Sequence, residues 1–178
     1  MRHTTLEVIN DEHQALSAML RSLSMLLAQA RREKQMPDFG VLRTMLFYVD
    51  EYPEKLHHRK ESELLFPVVR QRCPELAPTL DRLDRDHATG ERAIRDLEHE
   101  LLAFEVMGES RRATFEQAVE RYIRFYLDHM RIEEEDILPA ARRSFEPEDW
   151  VAVDAAFAAN QDPLTGHEAS AEFQPLFR

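Results

Sequence analysis

Apolar residues recur at steps of three and four along almost the whole chain, and no strand-like alternation of useful length interrupts them. The first segment, about Thr5 to Lys34, sets Leu6, Ile9, His13, Leu16, Leu20, Leu23 and Leu27 on one seam. Such a seam marks a helix packed in a bundle. Pro37 and Asp38 mark a turn and a new helix start. The second segment, about Asp38 to Arg70, leads from Leu42, Leu46 and Val49 to His57, Glu61, Leu64 and Val68, with Pro53 expected to kink or interrupt it. The third, about Pro78 to Met107, carries Leu80, Leu83, His87, Gly90, Ile94, Leu97, Leu101 and Phe104, and Gly108 should end it in a left-handed conformation. The fourth, about Ser110 to Arg143, carries Phe115, Val119, Tyr122, Tyr126, His129, Glu133, Asp136 and Ala140.

After Pro147 the pattern predicts a short helix through Asn160, with Val151, Val153 and Phe157 capping the bundle. Residues Gln161 to Arg178 read as an extended tail, and Phe173, Leu176 and Phe177 suggest docking on the bundle or on a second subunit. The expected fold is all-α: an up-down-up-down four-helix bundle with a short C-terminal helix over residues 1–160, then a tail over 161–178.

Charge and composition narrow the partners. The chain has 178 residues, with 23 Lys and Arg against 34 Asp and Glu, for a net charge of −11. That argues against nucleic acid or an anionic membrane surface as the main partner, since both need basic patches. Four glycines are too few and too scattered for a phosphate-binding loop. Cys73 is the single cysteine, which excludes internal disulfides and thiolate-ligated zinc or iron–sulfur clusters within one chain. With no apolar run of membrane-spanning length and no signal-peptide core in Met1 to Asn10, a cytoplasmic setting is expected.

The histidines carry the chemistry. His13 and His87 each follow an acidic residue within a helical seam. The stretch His57-His58-Arg59-Lys60-Glu61 through Leu65-Phe66-Pro67 parallels His129-Met130-Arg131-Ile132-Glu133 through Ile137-Leu138-Pro139. In both copies His and Glu are four apart, on one helix face, and Pro follows Glu by six. Burying such groups unpaired costs several kcal/mol, so their repetition on four seams points to a di-metal site with ligands His13, His57, Glu61, His87, His129 and Glu133. His58 could be a further ligand or hydrogen-bond donor beside it. Glu91, four residues after His87, could be a ligand or a hydrogen-bond partner. Tyr122 and Tyr126 lie on the seam near His129 as core or as partners of a bridging oxygen. Glu134 and Glu135 should point outward into solvent, as should His3, His99 and His167.

Imidazole plus carboxylate favours iron, manganese or zinc over calcium or magnesium, and the absence of thiolate suits a hard, oxygen-bridged pair such as iron. Four imidazoles and two bridging carboxylates leave two six-coordinate irons with open positions, even after an oxo or hydroxo bridge. Those positions suit O2, NO or peroxide.

The residues Asp11-Glu12-His13, His57-His58-Arg59-Lys60-Glu61-Ser62-Glu63-Leu64-Leu65-Phe66-Pro67, Asp86-His87 and His129-Met130-Arg131-Ile132-Glu133 resemble the hemerythrin-like, or HHE cation-binding, family over about Leu6 to Phe145. The resemblance implies an antiparallel four-helix bundle with a non-haem di-iron centre. Oxygen carriers of that family have a second His where this chain has Glu91, and an Asp five residues after the fourth-helix His, where this chain has Glu133 at four. The pattern is more similar to bacterial and sensory members, which points away from simple O2 transport. The cysteine-bearing N-terminal segment of the iron–sulfur repair members is missing.

Three functions follow as expectations. The first is a di-iron protein that binds or senses O2, NO or peroxide, or handles iron, rather than an enzyme, either monomeric or as a homodimer. The second is a di-iron oxidoreductase of ferritin type, for which Glu54-x-x-His57 supplies one ligand pair but Tyr126 stands in the matching place before His129. The third is a metal-free helical interaction module with buried His–Glu hydrogen bonds.

Overall fold

The computed structural model describes residues 3–160, 162–168 and 174; Phe173, Leu176 and Phe177, with the docking expected of them, lie outside the described residues. Helix α1 (Thr4–Glu33) buries Leu6, Ile9, His13, Leu16, Leu20, Leu23 and Leu27, the seam that the spacing predicts. It ends where Lys34 turns left-handed, at φ 53° and ψ 40°. Asp38 then accepts the Val41 N–H at 3.1 Å and caps helix α2, which runs over residues 39–72.

Pro53 does not end α2, but the α-helical pattern breaks around it. It lies inside a wide, π-helical stretch, Asp50–His57, in which the His58 N–H reaches back to the Pro53 carbonyl. The wider turn absorbs the hydrogen bond that a proline cannot donate. A second π stretch, Glu61–Leu65, follows one ordinary turn later, and Phe66–Arg72 completes the helix. Helix α3 (Ala77–Met107) buries all eight seam residues expected of it. It stops at Gly108, whose φ of 72° with ψ of −150° lies outside the left-handed helical well and in a region open chiefly to glycine.

Helix α4 (residues 112–144) repeats the design of α2. Arg112–Ile132 is α-helical, Glu133–Ile137 is π-helical, and Leu138–Ser144 returns to α. In both helices the carbonyl of the seam glutamate accepts the π hydrogen bond, Glu61 from Phe66 and Glu133 from Leu138. Pro67 and Pro139 come next, with no N–H to donate. Each wide turn adds one residue, so the buried seam shifts downstream. Leu65 and Val69 are buried where Leu64 and Val68 were expected, and Ile137 is buried in place of Asp136.

Helix α5 (Pro147–Ala158) starts with proline and a reciprocal cap between Glu146 and Asp149. It lies on the start of α1, where Asp154 accepts from Thr5 N–H at 2.8 Å and from Thr5 Oγ1 at 2.7 Å. Val153 and Phe157 turn into the core as expected, but Val151 is 71% exposed. Trp150 fills that role, because 150, 153 and 157 share the three-and-four spacing of one face.

Each bundle helix packs on its chain neighbour and α4 returns onto α1, which closes an up-down-up-down ring of four. Two apolar layers result. One holds Leu16 to Leu27, Leu42 to Tyr52, Ile94 to Phe104 and Phe115 to Met130; the other holds Leu6, Ile9, Leu65, Val69, Leu80, Leu83, Ile137 and α5. The polar seam residues lie between them. Among the described residues no helix is long and apolar enough to cross a membrane.

Candidate metal centre

All six seam ligands expected from sequence meet in that polar layer. Each is 8% exposed or less, and His129 and Glu61 are at 0%. They divide into two halves. In one, the Nε2 atoms of His13 and His57 face each other at 3.2 Å; in the other, those of His87 and His129 do so at 3.0 Å. Glu61 Oε1 lies 3.0 Å from His57 Nε2, while its Oε2 lies 3.4 Å from His87 Nε2. Glu133 Oε2 lies 3.3 Å from His13 Nε2, while its Oε1 lies 3.2 Å from His129 Nε2. Each carboxylate therefore gives one oxygen to each imidazole pair.

Those contacts are not well-formed hydrogen bonds. All four carboxylate oxygens are buried without a hydrogen-bond partner among the described residues. The nitrogens approach them off-axis, as donor atoms aimed at a common third point do. Buried carboxylates left in this state are strongly unfavourable unless a cation compensates them. Among the described residues two His-rich groups have ligand atoms converging within 4.8 Å: His13, His57 and Glu61, and His58, Glu61, His87 and His129.

The outward nitrogens face polar groups in a twofold pattern; among the described residues those of His13, His57 and His87 are hydrogen-bonded, and that of His129 is not. The acidic residue before the α1 histidine, Glu12, bonds His57 Nδ1 of α2 at 2.5 Å. Its counterpart before the α3 histidine, Asp86, lies 3.6 Å from His129 Nδ1 of α4. The residue after each bridging glutamate serves the remaining pair: Glu134 Oε1 is 3.0 Å from His13 Nδ1, and Ser62 Oγ is 2.9 Å from His87 Nδ1. Because Ser62 donates its own proton to Asp84, it accepts from His87 Nδ1–H. With Nδ1 as the donor, the neutral His87 ring carries its lone pair on Nε2, which is the tautomer a metal ligand needs.

A profile of the hemerythrin HHE cation binding domain matches residues 4–141. The chain belongs to this family. A comparison with curated proteins finds no match. The matched hemerythrin domain ends within α4, so α5 and the segment after it lie beyond it.

Electrostatics in this hemerythrin domain demand positive charge. Burial lowers the His129 imidazole, but Glu133 and Asp86 outweigh it and raise its pKa from 6.5 to about 10. His13, His57 and His87 are raised in the same way against their burial. Burial also opposes ionisation of Glu133 and Glu61, yet the surrounding imidazoles hold both below the usual carboxylate range. Protons stand in where cations fit. His58 is the exception: burial, then His87, His57 and His129, push it well below 6.5, so it is a neutral imidazole.

His58 sits at the His87/His129 half, stacked on His87 with ring centroids 4.4 Å apart. Its Nδ1 lies 3.1 Å from Glu54 Oε2. Glu54 Oε1 in turn accepts from Tyr122 at 2.7 Å and from Tyr126. Burial raises the Glu54 carboxyl to about 7, against both phenol hydrogen bonds. Glu54 is thus turned towards His58, and it does not form the ferritin-type pair with His57. Gly90 makes the approach possible, since a Cβ there would overlap Tyr126 Oη and lie 2.9 Å from Glu54 Oε1.

Glu91 takes no part. Its side chain is 47% exposed and pairs with Arg95 at 3.4 Å, because position 91 faces the rim of α3. Glu134 is 45% exposed, as expected of a solvated residue, but it also reaches His13; the two roles coexist at the rim. His99 and His167 are exposed. His3 is not freely solvated, for it stacks on Trp150 at 3.8 Å. Glu12 and Asp86 lie outside the six expected ligands, although the acid-before-His repeat carries a signal for both, and Glu54 enters the sequence reading only through its ferritin-type spacing to His57.

Proposed function

We propose that this chain binds a pair of transition-metal ions through His13, His57, His87, His129, Glu61 and Glu133, with His58 as a fifth imidazole, and that iron is the native metal. The carrying observation is the sharing of Glu61 and Glu133 between two facing imidazole pairs, with all four oxygens otherwise unpaired. The donor set, nitrogen and carboxylate oxygen without sulfur, suits iron, manganese or zinc. A bound redox-active pair supplies Lewis acidity and electrons to a small ligand such as O2, NO or peroxide. The protein's own part is to fix the His13, His57 and His87 tautomers from outside, to share two negative charges between the halves, and to exclude water with apolar layers on both sides.

A groove of about 450 Å³ between α3 and α4 has Tyr122 and Phe125 in its wall. Tyr122 also reaches Glu54, which supports entry of a small ligand from that side. We read the chain as a cytoplasmic binding or sensing protein. Anaerobic loading with iron(II), followed by metal analysis and an absorption spectrum before and after O2 or NO, tests this. About two iron ions per chain and a ligand-dependent spectrum are expected; well below one iron per chain overturns it.

One observation favours turnover as a second reading. Two buried phenols, Tyr122 and Tyr126, meet one carboxyl beside the His87/His129 half. Peroxide or NO consumption above that of free iron, abolished in Glu133→Ala, would establish an oxidoreductase.

A further inference from the structure

Lys60 belongs to the motif around His57 and Glu61, yet it is absent from the centre just described. Its ammonium donates instead to the Ala156 carbonyl at 2.8 Å and to Asn160 Oδ1. Asn160 Nδ2 donates to both oxygens of Glu12, at 2.9 and 3.0 Å. Glu12 Oε2 then accepts a hydrogen bond from His57 Nδ1–H. Lys60, Asn160, Glu12 and His57 form one hydrogen-bonded series from beyond the matched domain to the metal-facing imidazole. Asn160 and Glu12 are 6% and 8% exposed, so solvent does not substitute for these bonds.

The series has one polarity. Lys60 can only donate and a Glu12 carboxylate can only accept, so the Asn160 amide between them has a single workable orientation. In that orientation it fills both carboxylate oxygens and fixes the direction from which Glu12 meets His57. The opposite half has no such device among the described residues. Its counterpart to Glu12, Asp86, is 3.6 Å from His129 Nδ1 and faces Arg82, also at 3.6 Å. In the internal repeat, position 60 corresponds to Ile132, which cannot donate.

We propose that Asn160, clamped by Lys60, is a positioning residue for His57, and that the segment following α5 is thereby a working part of the metal centre. It stabilises one metal position, the His13/His57 half, selectively over the other. This rests on the metal-binding reading above. Partners that orient and polarise a metal-bound imidazole typically affect metal affinity by about 10–100-fold.

The test is chelator-driven metal release from the loaded full-length chain, with stoichiometry followed in time. In Asn160→Ala, one of the two ions should leave about tenfold faster or more, with the second unchanged. Asn160→Asp, which sets a like charge against Glu12, should exceed it. Lys60→Met should act on the same ion by a smaller factor, and it serves if the Asn160 variants do not fold. Because Asn160 acts through Glu12, the Glu12→Gln and Asn160→Ala effects should not add. Unchanged release, equal acceleration of both ions together with a lower apo melting temperature, or full additivity overturns the proposal. A wild-type chain that takes up no metal overturns the metal-binding reading instead.

Discussion

The Nε2 atoms of His87 and His129 face each other at 3.0 Å inside the bundle. Each ring turns its Nδ1 away, towards Ser62 and Asp86 respectively. Two nitrogens meet this closely only when a proton or another cation lies between or beside them. Glu61 and Glu133 supply the negative charge that draws it there.

Glu133→Gln tests that charge with little change in volume. The amide cannot serve both halves as an anion, so iron stoichiometry should fall from about two per chain to about one or less. In the apo protein the His129 imidazole, held near 10 largely by Glu133, should titrate closer to 6.5. Metal analysis and an NMR titration check the two halves of this statement. Full iron content in the variant would contradict the shared-carboxylate geometry.

His58→Leu separates a fifth imidazole from a mere neighbour. The ring is neutral, buried and within ligand distance of the His87/His129 half. Its loss should leave both ions bindable but weaken one by at least about tenfold. Competition with a chromophoric chelator reads this directly, and wild-type affinity for both ions would remove His58 from the ligand set.

Neighbouring positions 90 and 91 should behave oppositely. Gly90→Ala forces Tyr126 Oη away from Glu54, an overpacking that costs about 1–3 kcal/mol. The melting temperature should drop by about 2–4 °C for each kcal/mol in a chain of this size. Glu91→Ala removes an exposed pair with Arg95 and should stay within about 0.5 kcal/mol with metal content intact. Thermal denaturation of the two variants side by side decides it.

The contrast between Glu61 and Asn160 explains how far the sequence reaches. Glu61 was legible because its four-residue spacing from His57 puts both on one face, and the whole seam of α3 was legible for the same reason. Asn160 touches Glu12 across 148 residues, and no local period encodes that contact. The seams after Glu61 and Glu133 depart from the expected positions at Leu64, Val68 and Asp136 for another cause. A strict 3.6-residue period cannot anticipate a π turn, although the proline six residues after each glutamate marks where one sits. Glu12 and Asp86 were visible as an acid-before-His repeat, but each serves the histidine of the next helix, not its own neighbour.

The raised imidazoles and depressed carboxylates give apo and metal-loaded protein opposite responses to pH. In the apo state the folded pKa of His129 lies above its unfolded value, so its contribution is complete below about 6.5 and is lost as pH rises towards about 10. His13, His57 and His87 are shifted in the same direction. Glu61 and Glu133 are depressed, so their contribution is present above about 4.5 and is lost as pH falls through their folded values. Apo stability should therefore peak between about pH 4.5 and 6.5 and decline from there to about pH 9. Metal binding expels the imidazole protons and strengthens as pH rises through the same window. The gap in melting temperature between loaded and apo protein should widen from about pH 6 to about pH 9, as scanning calorimetry at both values would show. An apo melting temperature that rises over that interval would mean that no protons are held where the cations belong.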